Sequence, residues 1–216
     1  MNQETIDGKL LFAKTALENA KNVTPVNASL ALFGYDSAKL DEGMALYTTA
    51  NDLNEKQKKE YGEQFQATDA LHVSRAELKA LYMRHLKIAR IALRGDRGAE
   101  ESMQMGGRRK ETLSGFLKQV NAFYTNALNT QSVQDALARF NITTEALTEG
   151  KAKAEEVAAN YHKQLKEMGE AQQATEERDE ALDALEDWMS DFIAITRIAL
   201  EGQEQYLEVV GVVEPS

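Results

Sequence analysis

The chain has 216 residues, a formal net charge of −10 and no cysteine, which excludes disulfides, thiolate metal sites and cysteine nucleophiles. No apolar run approaches the ~20 residues that cross a bilayer, and no basic region followed by an apolar core opens the chain. The expectation is a cytoplasmic protein with no membrane partner.

Only two prolines, Pro25 and Pro215, interrupt a sequence rich in Ala, Glu, Leu, Gln and Lys, a composition that favours helices. Displaced by 107 residues, the chain aligns with itself without a gap from Glu4/Glu111 to Gly95/Gly202, and 31 of the 92 pairs are identical. A register kept over a whole half is the signature of tandem duplication. The expected fold class is all-α, with helical repeats at 1–107 and 108–216 of about four helices each.

The first helix is expected from Ile6, Leu10, Ala13, Leu17 and Ala20, matched by Leu113, Leu117, Val120, Tyr124 and Ala127. Steps of 4, 3, 4 and 3 put each set on one helical face. Asn22 and Asn129 close it, and Pro25 follows soon after. A short second helix carries Val26, Leu30 and Phe33, or Val133, Leu137 and Phe140. The third opens at Asp36-Ser37 and Thr143-Thr144, residue types that cap helix N-termini. It carries Leu40, Tyr47, Ala50 and Tyr61 against Leu147, Ala154, Val157 and Met168.

The fourth helix holds Leu78, Leu81, Tyr82, Ile88 and Ala92 against Leu185, Trp188, Met189, Ile195 and Ala199, and ends at Gly95 or Gly202. Ser74-Arg75-Ala76-Glu77 fits a capping box. A hairpin is therefore expected near 67–75 and 174–182, with one continuous helix as the alternative. Gly43/Gly150 and Gly62/Gly169 fall inside the third helices, where glycine costs roughly 1 kcal/mol relative to alanine. Their retention in both repeats points to close approach by a neighbour or to a kink, against shared ancestry without a role. Residues 105–110 read as a linker, and the apolar tail 206–214 as a segment that packs over the bundle end or docks on another subunit.

Motifs for chemistry are sparse. None of His72, His85 and His162 stands three residues after a glutamate, and none has a histidine at its matched position, so no di-iron pattern or symmetric metal site is expected. His85, matched by Phe192, reads as a core or boundary residue. No phosphate-binding loop is present, since Met105-Gly106-Gly107-Arg108-Arg109-Lys110 lacks the spacing and a preceding strand. No catalytic residue and no cofactor are assigned.

Charge is the remaining signal. Window 75–97 holds seven basic and two acidic residues, whereas its match, 182–204, holds six acidic residues against Arg197. Lys79/Glu186, Arg84/Asp191, Arg94/Glu201 and Arg97/Glu204 are direct reversals. Opposite drift along one helix is what contact between a basic and an acidic face favours, and such contact fixes register and partner choice. Arg84, Lys87 and Arg94 are the candidate basic face, and Asp187, Asp191 and Glu201 the candidate acidic one. Arg90 and Arg197, identical and set in Arg-Ile-Ala-Leu, are candidates for structural ion pairs with Glu42/Glu149, Glu60/Glu167 or Glu63/Glu170.

These features point to a non-enzymatic structural, assembly or adaptor protein whose partner is itself or another protein, including head-to-tail self-assembly. The alternatives are a ligand- or metal-carrying bundle, or a regulator that meets an acidic partner or nucleic acid through the window 75–97. The global charge opposes the nucleic-acid reading.

Overall fold

A computed structural model describes residues 5–212, and every regular element among them is a helix. In chain order these are α1 (Ile6–Asn22), α2 (Thr24–Ala31), α3 (Ser37–Ala92), α4 (Arg97–Ser102), α5 (Leu113–Asn129), α6 (Gln131–Ala138), α7 (Thr144–Ala199) and α8 (Glu204–Val210). Each of α5–α8 starts 107 residues after its counterpart among α1–α4. Among the described residues, no helix is long and apolar enough to cross a membrane. The start of the chain, on which the missing signal was judged, falls largely outside the described residues, as do positions 213–214 of the tail.

The helix starts follow from local chemistry. Thr5 and Thr112 accept hydrogen bonds from Gly8 N (3.1 Å) and Gly115 N (3.3 Å). Asp36 accepts from Lys39 N (3.0 Å) and Thr143 from Ala146 N (3.3 Å), satisfying donors that the first turn leaves free. Beyond the two long helices, Gly95 and Gly202 take φ of +90° and +77°, the left-handed conformation expected after a helix end. Pro25 sits in the first turn of α2, where its missing N–H costs nothing.

The expected hairpin does not occur: α3 and α7 are each continuous over 56 residues. Neither 67–75 nor 174–182 contains Gly or Pro. The Ser74 hydroxyl of the expected capping box turns inward instead, as do those of Thr68 and Thr175. Thr68 donates to Gln64 O (2.9 Å), Ser74 to Leu71 O (3.2 Å) and Thr175 to Ala171 O (2.9 Å), the back-bonding of a helix interior.

The chain divides into two packing units. The first runs through Tyr61 and resumes at Glu170; the second is Gly62–Gly169. Each unit draws on both sequence repeats. In the first, α1, α2 and α8 surround the N-terminal part of α3 and the C-terminal part of α7, with Leu10, Leu17, Leu30, Leu40, Met189 and Phe192 in the core. The tail belongs to this core, since Leu207, Val210 and Val212 are buried in it. In the second, α4, α5 and α6 surround the remaining parts of α3 and α7, with Leu78, Tyr82, Phe123, Tyr124, Leu137 and Val157 inside.

Within each unit α3 and α7 run antiparallel. Gly43 meets Trp188 and Lys56 pairs with Glu177 (2.7 Å) in the first. In the second, Gln164 donates to Thr68 (3.1 Å), Asn160 to Ser74 (3.0 Å), and Lys153 pairs with Glu77 (2.8 Å). Most apolar positions taken from the periodicity are buried or half-buried. Phe33, Phe140, Tyr61 and Met168 are the exceptions and stay exposed.

Candidate functional site

On α3 in the second unit, His72, Arg75, Ala76, Lys79 and Met83 recur at helical spacing and form one stripe. This stripe, Leu71, the segment 108–111 and Phe116 of α5 line a cavity of about 510 Å³. Leu71 and Phe116 are core residues exposed by only 7% and 5%, so the floor is apolar. The 108–111 segment is held in place from several sides. Met103 and Met105 anchor the chain before it in the core. Arg109 donates through Nη1 to Tyr82 Oη and to Gln104 O (both 2.7 Å), and through Nη2 to Gly106 O and Gly107 O. Lys110 N donates to Gln119 Oε1 (2.8 Å), and Arg75 Nη2 donates to Glu111 O (2.8 Å).

The lining is strongly cationic. Arg75, Lys79, Arg108, Arg109 and Lys110 face a single carboxylate, Glu111, and that carboxylate is already engaged by Arg108. The side chains of His72, Lys79 and Lys110 have no hydrogen-bond or ion-pair partner among the described residues. Arg109 Nε is buried without an acceptor.

At the matched place in the first unit, Glu186 and Lys9 replace Lys79 and Phe116, and they form an ion pair at 2.5 Å. Lys79 and Phe116 of the cavity are thus not shared with the matched positions of the first unit.

Nearby in the same unit, Arg90 donates through Nε (2.9 Å) and Nη2 to Met105 O, beside a second depression of about 730 Å³ that it lines with Arg97, Glu100 and Glu101. Arg90 thus meets a carbonyl and no carboxylate. Arg197 is exposed and has no partner among the described residues. Both arginines lie on the solvent side of their helices, where Ile91 and Ile198 are 56% exposed, so the apolar neighbours in sequence do not enclose the charge.

His85 is buried and its Nδ1 lies 3.2 Å from Tyr124 Oη. Burial, reinforced by Arg84 and opposed by Glu149, lowers its basicity. Burial likewise pushes the Tyr124 phenol far up, so it stays protonated at any physiological pH. His162 lines a smaller depression with Leu113, Leu117 and Tyr161. The three histidines thus serve three different surroundings.

Arg84, Lys87 and Arg94 are exposed in the second unit, and Asp187, Asp191 and Glu201 in the first. None has a side-chain hydrogen bond or ion pair among the described residues. Of the basic window's four other members, Arg75 and Lys79 line the cavity, and Arg90 and Arg97 line the second depression. The sequence reading takes residues 105–110 only as a linker, because a glycine-flanked basic run has no periodicity that would place it against α3. The exchange of Lys9 and Glu186 for Phe116 and Lys79 was the available signal.

The chain matches no protein-family model, no curated protein and no solved structure.

Proposed function

We propose that the protein is a non-enzymatic helical scaffold, produced by tandem duplication, that assembles through oppositely charged helical surfaces. The observation that carries this reading is that all six residues of the two oppositely charged faces are exposed and make no side-chain hydrogen bond or ion pair among the described residues. A solvated face that drifts by chance gains mixed charge; these two drifted to opposite signs at matched positions. The recurrence of helix starts at a spacing of 107 residues supports duplication.

A basic face on one molecule and an acidic face on the next make a heterologous contact, which closes into a ring or grows into a filament. Its strength falls with salt, because exposed charges are screened beyond about 8–10 Å near physiological ionic strength. Size-exclusion chromatography with light scattering, over protein concentration and salt, tests this. Arg84→Glu with Arg94→Glu should weaken assembly, and adding Asp191→Arg with Glu201→Arg should restore part of it. A protein that remains monomeric at high concentration and low salt sinks the proposal.

A further inference from the structure

We propose that the cavity between α3 and the 108–111 segment of the second unit binds a small organic anion with an apolar body. Arg75, Lys79 and Lys110 would hold the anionic head, and Leu71, Met83 and Phe116 would receive the body.

Three observations converge on this ligand class. The cavity, about 510 Å³, lies within the roughly 300–1,000 Å³ usual for small-molecule sites. Its cations are uncompensated, since the single carboxylate of the lining is engaged by Arg108 while Lys79 and Lys110 have no partner among the described residues. Ala76 is exposed and Met83 half-buried along the wall above the floor of Leu71 and Phe116, so a bare inorganic anion would leave this apolar part of the cavity unfilled, and a neutral apolar molecule would leave the cations unneutralised.

Among the described residues of the first unit, the matched positions carry a different charge pattern. There Lys9 and Glu186 satisfy each other at 2.5 Å, and Leu182 replaces Arg75. Changing Glu to Lys and Lys to Phe at that pair removes an internal anion and supplies an apolar surface in a single exchange. The 108–111 segment has its backbone and Arg109 tied down before any ligand arrives, so little ordering entropy opposes binding.

The test uses the full-length protein and the fluorescent aromatic sulfonate 8-anilinonaphthalene-1-sulfonate as the probe. One saturable site per chain is expected, displaced by decanoate but not by equal concentrations of inorganic phosphate or decyltrimethylammonium. Lys79→Glu should weaken probe binding at least about tenfold, the equivalent of roughly 1.4 kcal/mol. Lys118→Glu makes the same charge change on the exposed side of α5, and should leave binding within about twofold. The double variant Lys79→Glu/Phe116→Lys, which copies the Lys9–Glu186 pair, should abolish the site while retaining the helical melt. If it fails to fold, the Lys79 and Lys118 variants decide between them. Equal loss in those two variants, displacement by phosphate alone, or no saturable binding would each overturn the proposal.

Discussion

The indole of Trp188 covers Gly43 so closely that a Cβ added to the glycine would stand 2.5 Å from Cη2 and 2.6 Å from Cζ3. Trp188 is itself stacked on Phe192 at a centroid distance of 5.4 Å, and Tyr35 meets its edge at 5.5 Å. Gly150 holds the matched position in the second unit, and there the Tyr124 ring presses on it. Both glycines make room for an aromatic ring. Gly62 and Gly169 have nothing within 4 Å of where a Cβ would point.

These two glycine pairs should respond oppositely to alanine. Gly43→Ala and Gly150→Ala should each destabilise the protein by about 1–3 kcal/mol, the usual cost of overpacking. Gly62→Ala and Gly169→Ala should stabilise it by up to about 1 kcal/mol, by helix propensity and a less flexible unfolded chain. Urea unfolding of the four variants measures this, and a uniform sign across them would contradict it.

His85 should make stability depend on pH. Its folded-state basicity lies below the ordinary value of 6.5, so the unfolded chain binds the proton more tightly. The contribution is therefore full above about pH 6.5 and is lost as pH falls from there through the lowered folded value. Tyr124, Arg84 and Glu149 surround the ring, and only Glu149 favours the charged form. Thermal melts from pH 7.5 to 5 should show a declining midpoint. Replacing the pair with His85→Phe/Tyr124→Phe should flatten that decline; an unchanged slope would show that other groups cause it.

Arg90 and Arg197 occupy matched positions but should not be equivalent. Arg90→Met removes two donors from the Met105 carbonyl and should cost about 1 kcal/mol. Arg197→Met removes a side chain without a described partner, and should change stability by no more than about 0.5 kcal/mol. Equal losses at the two positions, read by chemical denaturation, would show that Arg197 has a partner after all.

The part-buried Ser74–Asn160 hydrogen bond can be tested against the matched positions, which hold Ala181 and Leu53. Asn160→Leu alone should cost about 1 kcal/mol, because it removes the donor to the Ser74 oxygen while the hydroxyl keeps its own bond to Leu71 O. Adding Ser74→Ala should recover most of that loss. A double-mutant cycle that proves additive would show that the bond contributes nothing of its own.

Helix identity was legible in the chain because it is local chemistry. Asp36 and Thr143 mark their helix starts, and the 4-3-4-3 spacing from Ile6 to Ala20 marks the buried face of α1. A glycine kept at matched positions was compatible with close approach, a kink or mere ancestry: Gly43 has Trp188 against it, whereas Gly62 has nothing within 4 Å. What the sequence left open depended on partners distant along the chain. Thr68 and Ser74 have the side chains of caps, yet they lie inside a continuous helix, bonded back to Gln64 and Leu71 and facing Gln164 and Asn160 on α7. The same holds for the units: a helix buries its apolar stripe against whichever partner lies alongside, and no periodicity names that partner. The repeats divide the chain near residue 107, yet packing joins α1 and α2 with the end of α7, and α5 and α6 with the end of α3. Likewise Lys79 reads as one more charge on a solvated face until the 108–111 segment folds against it, and Phe116 looks like an ordinary core residue. Charge and apolar surface become a cavity only when tertiary structure brings them to one place.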